Sequence, residues 1–396
     1  MKQLERGCRS VILTIVDKIA VSAGSFTIVL TKRGYHFCTF GLNKNKKDMK
    51  AINAYAAYDA ETPLRPFTFE RKELGEKEVQ IEILYSGVCH SDIHTAKGDW
   101  GPAIYPLVPG HEIVGKVTAV GSAVSKFKVG EIAGVGCFVD SCRTCQSCKA
   151  GDEQLCDEGM TGTYNSYERG TKIPTYGGYS TSITADEEYT LHISDKLELS
   201  GVAPLLCAGI TTYSPLRRLN VGKGHKVGVL GLGGLGHMAV KFAASFGAEV
   251  TMLSHSPSKE ADAKKLGAHY FALTSDPEVM KSLAGEFDVI LNTVSADHDY
   301  NEYLKLLNTN GTMIIVGMPS APAVIPAASL VLKRKSIMGS LIGGIAETQE
   351  MLDYCAEHNI ISDVEVINMD YINEAYERMN KSDVKYRFVI DMASMK

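Results

Sequence analysis

Residues 227–240 have the sequence VGVLGLGGLGHMAV, in which an apolar run is followed by closely spaced glycines. Gly231, Gly233 and Gly236 have the G-x-G-x-x-G spacing, and a stretch of helical periodicity follows them. Such glycines permit a tight turn and let the backbone approach a pyrophosphate at the helix N-terminus. Because a predicted strand precedes the motif and a predicted helix follows it, the stretch predicts a dinucleotide-binding turn. The residues expected to contact the cofactor are Gly231, Gly233, Gly234, Leu235 and Gly236.

The sequence on both sides of this turn predicts an α/β fold. Between about residues 208 and 340, strand-like runs such as EVTMLS (249–254) and FDVILNTV (287–294) alternate with helix-length stretches. That alternation is typical of a parallel sheet with crossover helices. From residue 49 to about 200 the segments are instead short, β-rich and punctuated by Gly and Pro. After Gly339 a helix over ETQEMLDYCAEHNI and a terminal strand at YRFVIDM are predicted.

The end of the second strand predicts the preferred nicotinamide cofactor. An NAD-specific turn usually has an acidic side chain about twenty residues beyond the glycines. Here the strand ends at Ser254, and no Asp or Glu occurs between Val250 and Lys259. The hydroxyls of Ser254 and Ser256 can donate to a 2′-phosphate, while Lys259 and a protonated His255 add positive charge. These residues favour NADP(H) over NAD(H); the alternative is an ordinary serine-rich turn with a solvated lysine.

Four cysteines lie within the stretch SCRTCQSCKAGDEQLCDEG (141–159), namely Cys142, Cys145, Cys148 and Cys156. Four thiolates at this spacing can surround one zinc ion and leave no open coordination position, so they predict a structural site. A ferredoxin-type cluster would need a shorter last gap followed by proline. A nucleic-acid zinc ribbon would need basic neighbours, whereas this loop is acidic. Four unliganded cysteines are the remaining alternative.

Three separated pieces of sequence could supply an open metal site. GVCHSDIH (87–94), VPGHEIVG (108–115) and CAGITTYSPL (207–216) contain Cys89, His111 and Cys207. One imidazole and two thiolates would make a three-ligand zinc site with its fourth position free, the catalytic arrangement. Each piece alone is weak evidence for a metal site, because a His after Pro-Gly is more often structural and a Cys in an apolar run is usually in the core.

These motifs, in this order from Met49 to Lys396, resemble those of the zinc-dependent medium-chain alcohol dehydrogenases, and most closely the cinnamyl alcohol dehydrogenase-like branch. The resemblance implies reduction of aldehydes by NADPH, or the reverse reaction on primary alcohols. It also implies a GroES-like catalytic domain (49–206 and 341–396) around a Rossmann domain (207–340). Residues 1–48 have no counterpart in it. A homodimer formed through the edge of the Rossmann sheet is expected from the family.

The resemblance also implies roles for individual residues. It makes Cys89, His111 and Cys207 the catalytic zinc ligands, with Glu112 entering the zinc shell on exchange, so two zinc ions per chain are expected. Thr211 and the segment Val316, Gly317 and Met318 would line the nicotinamide. Ser91 is expected to pass a proton, with His94 as the end of the relay, and His94 as a surface histidine is the alternative. Asp92 would accept a hydrogen bond from His111. Trp100 is expected in either the substrate pocket or the core.

Composition argues against several other classes of function. The net charge of −5 argues against a nucleic-acid partner. No apolar run reaches membrane-spanning length, and closely spaced cysteines fit metal binding in a reducing cytoplasm. Residues 1–48 carry nine Lys or Arg and three Asp or Glu, which is +6, so the remainder is −11. They are expected to be a poorly packed extension or the product of a non-native upstream start, with an address signal as the alternative.

Two other functions remain open from the sequence. A zinc-free quinone or enoyl reductase of the same superfamily would lack the set of Cys89, His111 and Cys207. A non-enzymatic zinc-ribbon binding protein would explain the four-cysteine loop, but it would leave the glycine-rich turn and the acidic balance unexplained.

Overall fold

The computed structural model describes residues 29–31, 34–36 and 51–395. Residues Met1–Met49 form a unit separate from Lys50–Lys396. In the first unit, two short strands pair antiparallel, with Val29 opposite His36. The remaining predictions about residues 1–48 fall outside the described residues.

The described strands mostly follow one another up to residue 207 and alternate with helices after it. The strands are β1 Val29–Thr31, β2 Gly34–His36, β3 Ala51–Ala56, β4 Arg65–Glu70, β5 Glu78–Val88, β6 Ile113–Val120, β7 Ile132–Val135, β8 Phe138–Asp140, β9 Thr161–Gly162, β10 Ser182–Asp186, β11 Leu191–His192, β12 Lys226–Leu230, β13 Glu249–Ser254, β14 Tyr270–Leu273, β15 Phe287–Asn292, β16 Leu307–Ile315, β17 Ser336–Gly339, β18 Val364–Asn368 and β19 Arg387–Asp391. The helices are α1 His90–Lys97, α2 Gln146–Lys149, α3 Leu199–Val202, α4 Ala208–Arg218, α5 Gly236–Ser245, α6 Glu260–Lys265, α7 Pro277–Ser282, α8 Tyr300–Leu304, α9 Ala328–Val331, α10 Ile345–His358 and α11 Ile372–Asn380.

A seven-stranded sheet is built from both ends of the second unit. Its order is β11-β7-β6-β5-β19-β18, with β10 paired to β5 off this path. The long strand β5 runs antiparallel to β6, β10 and β19. Its burial alternates along much of its length, as expected for a strand with one face on the core. Because β19 joins β5 here, residues near the C-terminus lie beside the segment that follows β5.

A second sheet has six parallel strands in the order β14-β13-β12-β15-β16-β17. The apolar runs of residues 226–315 form its central strands, and β12 and β13 are almost entirely buried. Strands buried on both faces are typical of a parallel sheet covered by helices. The predicted α/β fold, a GroES-like β-rich part with a Rossmann-type parallel sheet, is therefore confirmed.

The helix and strand predicted after Gly339 are present as α10 and β19. Helix α10 ends at His358 because Asn359 adopts the left-handed conformation, with φ 51°. One hydrophobic cluster contains residues of both sheets, among them Val114 and Val389 of the first and Val229 and Leu291 of the second. The boundaries predicted for the two domains stay predictions.

In the described part of the chain, no single helix is long and apolar enough to cross a bilayer. One bent pair, Leu199–Leu206 with Ala208–Arg218, is long and apolar enough by length and composition only.

Candidate active site

The structure brings together the residues from the three separated motifs. Cys89 lies between β5 and α1, His111 and Glu112 directly precede β6, and Cys207 directly precedes α4. All four residues are buried, and their potential ligand atoms lie within 4.8 Å of one another. Two thiols and an imidazole at this spacing form a donor set suited to zinc, with the Glu112 carboxylate as a fourth donor.

His111 is held from its edge and from one face. Its Nδ1 lies 3.1 Å from Oδ1 of the fully buried Asp92, the carboxylate predicted to orient it. The Tyr164 ring stacks on the imidazole, with centroids 5.8 Å apart and an interplanar angle of 26°. If Nδ1 carries its proton toward Asp92, Nε2 is left free to bind a metal.

Glu112 forms a buried ion pair that the sequence did not suggest. Arg387, the first residue of β19, donates from a guanidinium nitrogen to Glu112 Oε1, and both side chains are almost completely buried. Burial raises the pKa of Glu112 to about 7, against the opposing effect of the Arg387 charge. The other carboxylate oxygen, Oε2, has no hydrogen-bond partner in the described part of the chain, so it remains available as a ligand.

Gly87 makes room for that carboxylate. A Cβ atom built on Gly87 would lie 1.9 Å from Glu112 Oε2, so a side chain at position 87 would displace the carboxylate. The glycine two residues before Cys89 is therefore explained by its close approach to the site.

Two further thiol contacts define the cluster. The Cys207 thiol donates toward Cys89, and this contact, together with the Arg387 charge, holds the pKa of Cys89 well below its ordinary value in spite of burial. Cys137, a residue outside the predicted site, lies within hydrogen-bonding range of Cys207 and donates to the carbonyl of Leu206 at 3.6 Å. A third sulfur therefore borders the metal-binding cluster.

The four-cysteine loop forms a second cluster. The thiols of Cys142, Cys145, Cys148 and Cys156 lie within 4.8 Å of one another. Backbone N–H groups of Thr144 and Cys145 lower the pKa of Cys142 to about 6, which favours the thiolate that zinc requires. The N–H of Cys142 in turn donates to Cys156 Sγ at 3.3 Å. The loop is thus shaped for four sulfur ligands.

The residues of the predicted proton relay lie on or beside α1. Ser91 Oγ accepts from the Cys89 thiol at 3.5 Å, which places it at the metal-binding cluster. His94 is partly exposed, and its Nδ1 lies 2.8 Å from Oδ2 of Asp99. Trp100 stacks on the His94 ring, with centroids 5.0 Å apart. Trp100 is 50% exposed, so the alternative of a core position is wrong.

The glycine-rich turn connects β12 to α5 as predicted. Gly231 has φ 90°, a conformation that favours glycine, and a Cβ on Gly236 would lie 1.8 Å from the Gly231 carbonyl oxygen. Nothing lies within 4 Å of a Cβ built on Gly233, so the backbone there is open to a ligand. A Cβ on Gly234 would lie 2.9 Å from Arg387. Arg387 therefore contacts both the glycine turn and Glu112.

Comparisons with known proteins identify the family. Residues 234–357 match the family described as zinc-binding dehydrogenase, and residues 75–195 match the alcohol dehydrogenase GroES-like domain. NADP-dependent alcohol dehydrogenase C 1 of Mycolicibacterium smegmatis is 57% identical over 350 residues, which are 88% of this chain and 100% of that protein. The chain belongs to the zinc-containing medium-chain alcohol dehydrogenases.

Other relatives place this dehydrogenase in the cinnamyl alcohol dehydrogenase-like branch. Aldehyde reductase YahK of Escherichia coli is 52% identical over 86% of this chain and 98% of its own. The solved structure of a cinnamyl alcohol dehydrogenase from Sorghum bicolor has a TM-score of 0.85 and 45% identity, covering 88% of this chain and 99% of its own. That of the Helicobacter pylori enzyme complexed with NADP(H) has a TM-score of 0.82 and 42% identity, covering 87% and 98%. The resemblance drawn from the motifs is confirmed.

In this dehydrogenase, the residues predicted to recognise the ribose phosphate lie at the end of β13 and just after it. Ser254 is buried at the end of that strand, and its Oγ accepts from the Ser256 N–H at 3.2 Å. Lys259 is half buried, which lowers its pKa, and its Nζ donates to the carbonyl of Leu232 in the glycine turn at 3.0 Å. Lys259 thus contacts the turn, and Ser254 and Ser256 contact each other at the end of β13.

The residues predicted to line the nicotinamide come from two elements of the dehydrogenase. Thr211 is buried in α4, one turn after Cys207. Val316 and Gly317 follow β16, and both donate from the backbone to the Asn292 carbonyl. A Cβ on Gly317 would lie 2.3 Å from the Val294 carbonyl oxygen. Met318 is 60% exposed, so its side chain is free to contact a bound ligand.

Proposed function

We propose that the chain is a zinc-dependent alcohol dehydrogenase that transfers a hydride between NADP(H) and a primary alcohol/aldehyde pair. One observation carries this proposal: the donor groups of Cys89, His111, Glu112 and Cys207 meet within 4.8 Å. A zinc-free quinone or enoyl reductase has no need of such a set. The names of relatives that are 52–57% identical, an NADP-dependent alcohol dehydrogenase and an aldehyde reductase, support the cofactor and the substrate class.

Two zinc ions per chain fit these donor sets. We assign the catalytic ion to Cys89, His111 and Cys207, with Glu112 as an exchangeable donor, and the structural ion to the four-cysteine loop. Zinc with an open position polarises a substrate oxygen and stabilises negative charge on it. The Arg387 guanidinium opposes the effect of burial on the Glu112 carboxylate and fixes one of its oxygens, which leaves Oε2 as the oxygen that can approach the metal.

A proton route starts at Ser91. Its hydroxyl lies beside Cys89 and can donate to, or accept from, the substrate oxygen at the cluster. We assign His94 as the outer end of the route because its ring is partly exposed to water. The Asp99 carboxylate accepts from Nδ1, which leaves Nε2 able to exchange a proton with a ribose hydroxyl of the cofactor.

The proposed NADP(H) site combines the glycine turn with the end of β13. The open backbone at Gly233 can approach a pyrophosphate. Ser254, Ser256 and Lys259 would bind the 2′-phosphate, for which the Lys259 ammonium would leave its bond to the Leu232 carbonyl. No carboxylate between Val250 and Lys259 opposes that phosphate.

The substrate is proposed to enter beside Trp100. The half-exposed indole and its stack on His94 provide an aromatic surface near the cluster. Such a surface favours aromatic and longer aliphatic aldehydes over small polar ones by apolar contact rather than by specific hydrogen bonds. Broad specificity among aldehydes is the expected consequence.

We also propose a homodimer formed through β17, the edge strand of the parallel sheet. Val324, Val331 and Leu332 near this edge are 81%, 71% and 82% exposed. Exposed apolar side chains beside an edge strand mark a pairing surface. Light scattering should give about two chains per particle, and Leu332→Asp should give monomers.

We also propose a reducing compartment such as the cytoplasm, because four closely spaced cysteines are grouped as metal ligands, whose thiolates a reducing environment preserves.

Steady-state oxidation of NADPH tests the proposed function. Aliphatic and aromatic aldehydes should be reduced by the zinc-loaded protein, and a quinone or an enone should not. Activity should disappear with a chelator and return with zinc. Turnover of the quinone that survives zinc removal would favour the zinc-free reductase instead.

A further inference from the structure

The segment Gly177–Tyr179 lies against the loop that leads to His111. The N–H groups of Gly177, Gly178 and Tyr179 donate to the carbonyls of Val108, Gly110 and Pro109 at 2.9, 2.8 and 2.9 Å. A Cβ built on Gly177 would lie 2.3 Å from the Gly110 carbonyl oxygen, so the contact requires glycine at that position. The two glycines therefore bring Tyr179 close to the residue preceding His111.

The Tyr179 side chain is completely buried and directed at a single carboxylate. Its hydroxyl donates to Asp92 Oδ2 at 3.0 Å, and it accepts from the Tyr376 hydroxyl at 3.4 Å. Burial and the nearby Asp92 charge raise the pKa of Tyr179 well above its usual value, so the phenol keeps its proton and acts as the donor. Its ring packs on Gly110, where a Cβ would lie 2.7 Å from Cδ1.

Both oxygens of Asp92 are engaged. Oδ1 faces His111 Nδ1 at 3.1 Å and accepts from the Gly110 N–H at 3.1 Å. Oδ2 accepts from the Cys89 N–H at 2.9 Å and from Tyr179. The carboxylate is thus fixed at four points. Among the described residues, Tyr179 supplies the one side-chain donor to Oδ2, the oxygen directed away from His111.

We propose that Tyr179 is a positioning residue for the catalytic metal site, acting on His111 through Asp92. This inference rests on the proposed assignment of His111 as a zinc ligand. A carboxylate held at both oxygens fixes the imidazole plane and the tautomer that presents Nε2. Without the phenol hydroxyl, Oδ2 keeps one backbone donor and the carboxylate can rotate about its bond to Cβ. The imidazole is then held less firmly, and the metal leaves more readily.

The test measures the rate at which the holoenzyme releases zinc to a chromophoric chelator. The kinetic phase that is absent in Cys207→Ser is the release of the catalytic zinc and is called the catalytic phase. Tyr179→Phe removes the hydroxyl and keeps the ring. Asp92→Asn serves as a reference, because losing a direct outer partner of a ligand weakens metal binding about 10–100-fold. Tyr213→Phe is the matched control, since Tyr213 is also fully buried and its hydroxyl donates at 2.8 Å to another carboxylate, that of Glu350 in α10.

Tyr179→Phe should speed the catalytic phase by roughly 3–10-fold, less than Asp92→Asn because its effect passes through one more residue. It should also change the visible absorption of the cobalt-substituted site, whereas Tyr213→Phe should alter neither. A release rate and a cobalt spectrum identical to wild type would overturn the inference even if the thermal midpoint fell. If zinc release from the wild type showed no phase that disappears in Cys207→Ser, the zinc assignment on which the inference rests would be overturned instead.

Discussion

Arg387 and Glu112 form a buried ion pair that joins the last strand of the chain to the residue beside His111. The two residues are 275 positions apart. Because Arg387 also contacts the glycine turn at Gly234, one guanidinium links the metal-binding cluster to the cofactor-binding turn. The proposed metal and cofactor sites are therefore connected by side chains as well as by the shared core.

Removing Arg387 should strongly destabilise the fold. In Arg387→Met the Glu112 carboxylate would remain buried without its partner, which usually costs about 3–5 kcal/mol of unfolding free energy. Arg218→Met is the control, because its pair with Asp152 is partly exposed and should contribute about 0–1 kcal/mol. Urea unfolding of both variants measures the difference. Equal losses in the two variants would contradict the role assigned to the buried pair.

His237 should contribute to the pH dependence of stability. It is fully buried behind the glycine turn, with Nε2 2.9 Å from Ser362 Oγ, and burial lowers its pKa to about 3. Between pH 6.5 and about 3 the unfolded state binds a proton that the folded state does not, so stability falls as the pH decreases through that range. The slope from this group approaches about 1.4 kcal/mol per pH unit.

Denaturant unfolding of His237→Gln from pH 7 to pH 4.5 measures this contribution. The variant should lose less stability over the range than wild type, by about 2.5 kcal/mol. His358→Gln, at an exposed position near the end of α10, should keep the wild-type slope. If His237→Gln also kept the wild-type slope, the neutral buried imidazole would not be the cause of the pH dependence of stability.

Ser254→Asp should change the cofactor preference. A carboxylate at the end of β13 would repel a 2′-phosphate and accept from a 2′-hydroxyl. The Michaelis constant for NADPH should rise by about 10–100-fold, as expected for the loss of charge-assisted hydrogen bonds, with little change in kcat at saturation. Ser282→Asp, an exposed change at the end of α7, should leave the preference unaltered. Equal efficiency of wild type with NADH and NADPH would contradict the assignment of Ser254.

A chain beginning at Met49 should retain activity and thermal midpoint. Residues Met1–Met49 form a unit separate from the catalytic unit. The alignment with the Mycolicibacterium enzyme covers all of that protein but 88% of this chain. NADPH oxidation and a thermal scan of the truncated protein provide the comparison. Loss of soluble protein would show that the extension stabilises the catalytic unit.

The parts of the fold predictable from sequence were those with a local signal. The spacing of Gly231, Gly233 and Gly236 between a strand and a helix indicated the turn, because steric requirements at these positions are local. The four cysteines of one loop likewise indicated a metal-binding cluster. For Cys89, His111 and Cys207 the spacing was not sufficient, and the resemblance to a family was needed to group them.

The residues that sequence inspection missed depend on contacts between distant segments. Tyr179 and Asp92 are 87 positions apart, and the sequence around either residue does not indicate that they meet. The contact between Asp99 and His94 could have been predicted from the sequence. Asp99 lies five residues after His94, just beyond Gly98, where the left-handed cap ends α1. Arg387 also had a signal in the sequence, because it directly precedes the apolar run 388–390, and a charged side chain buried with such a run requires a partner.

Metal analysis of purified, active protein tests the central claim most directly. Elemental analysis should find about two zinc ions per chain in wild type and about one in Cys207→Ser, which should lose turnover and keep its fold. Cys145→Ser should also fall to about one zinc ion, but with a lower thermal midpoint. About one zinc ion per chain in fully active wild type, unchanged in Cys207→Ser, would contradict a catalytic zinc at Cys89, His111 and Cys207.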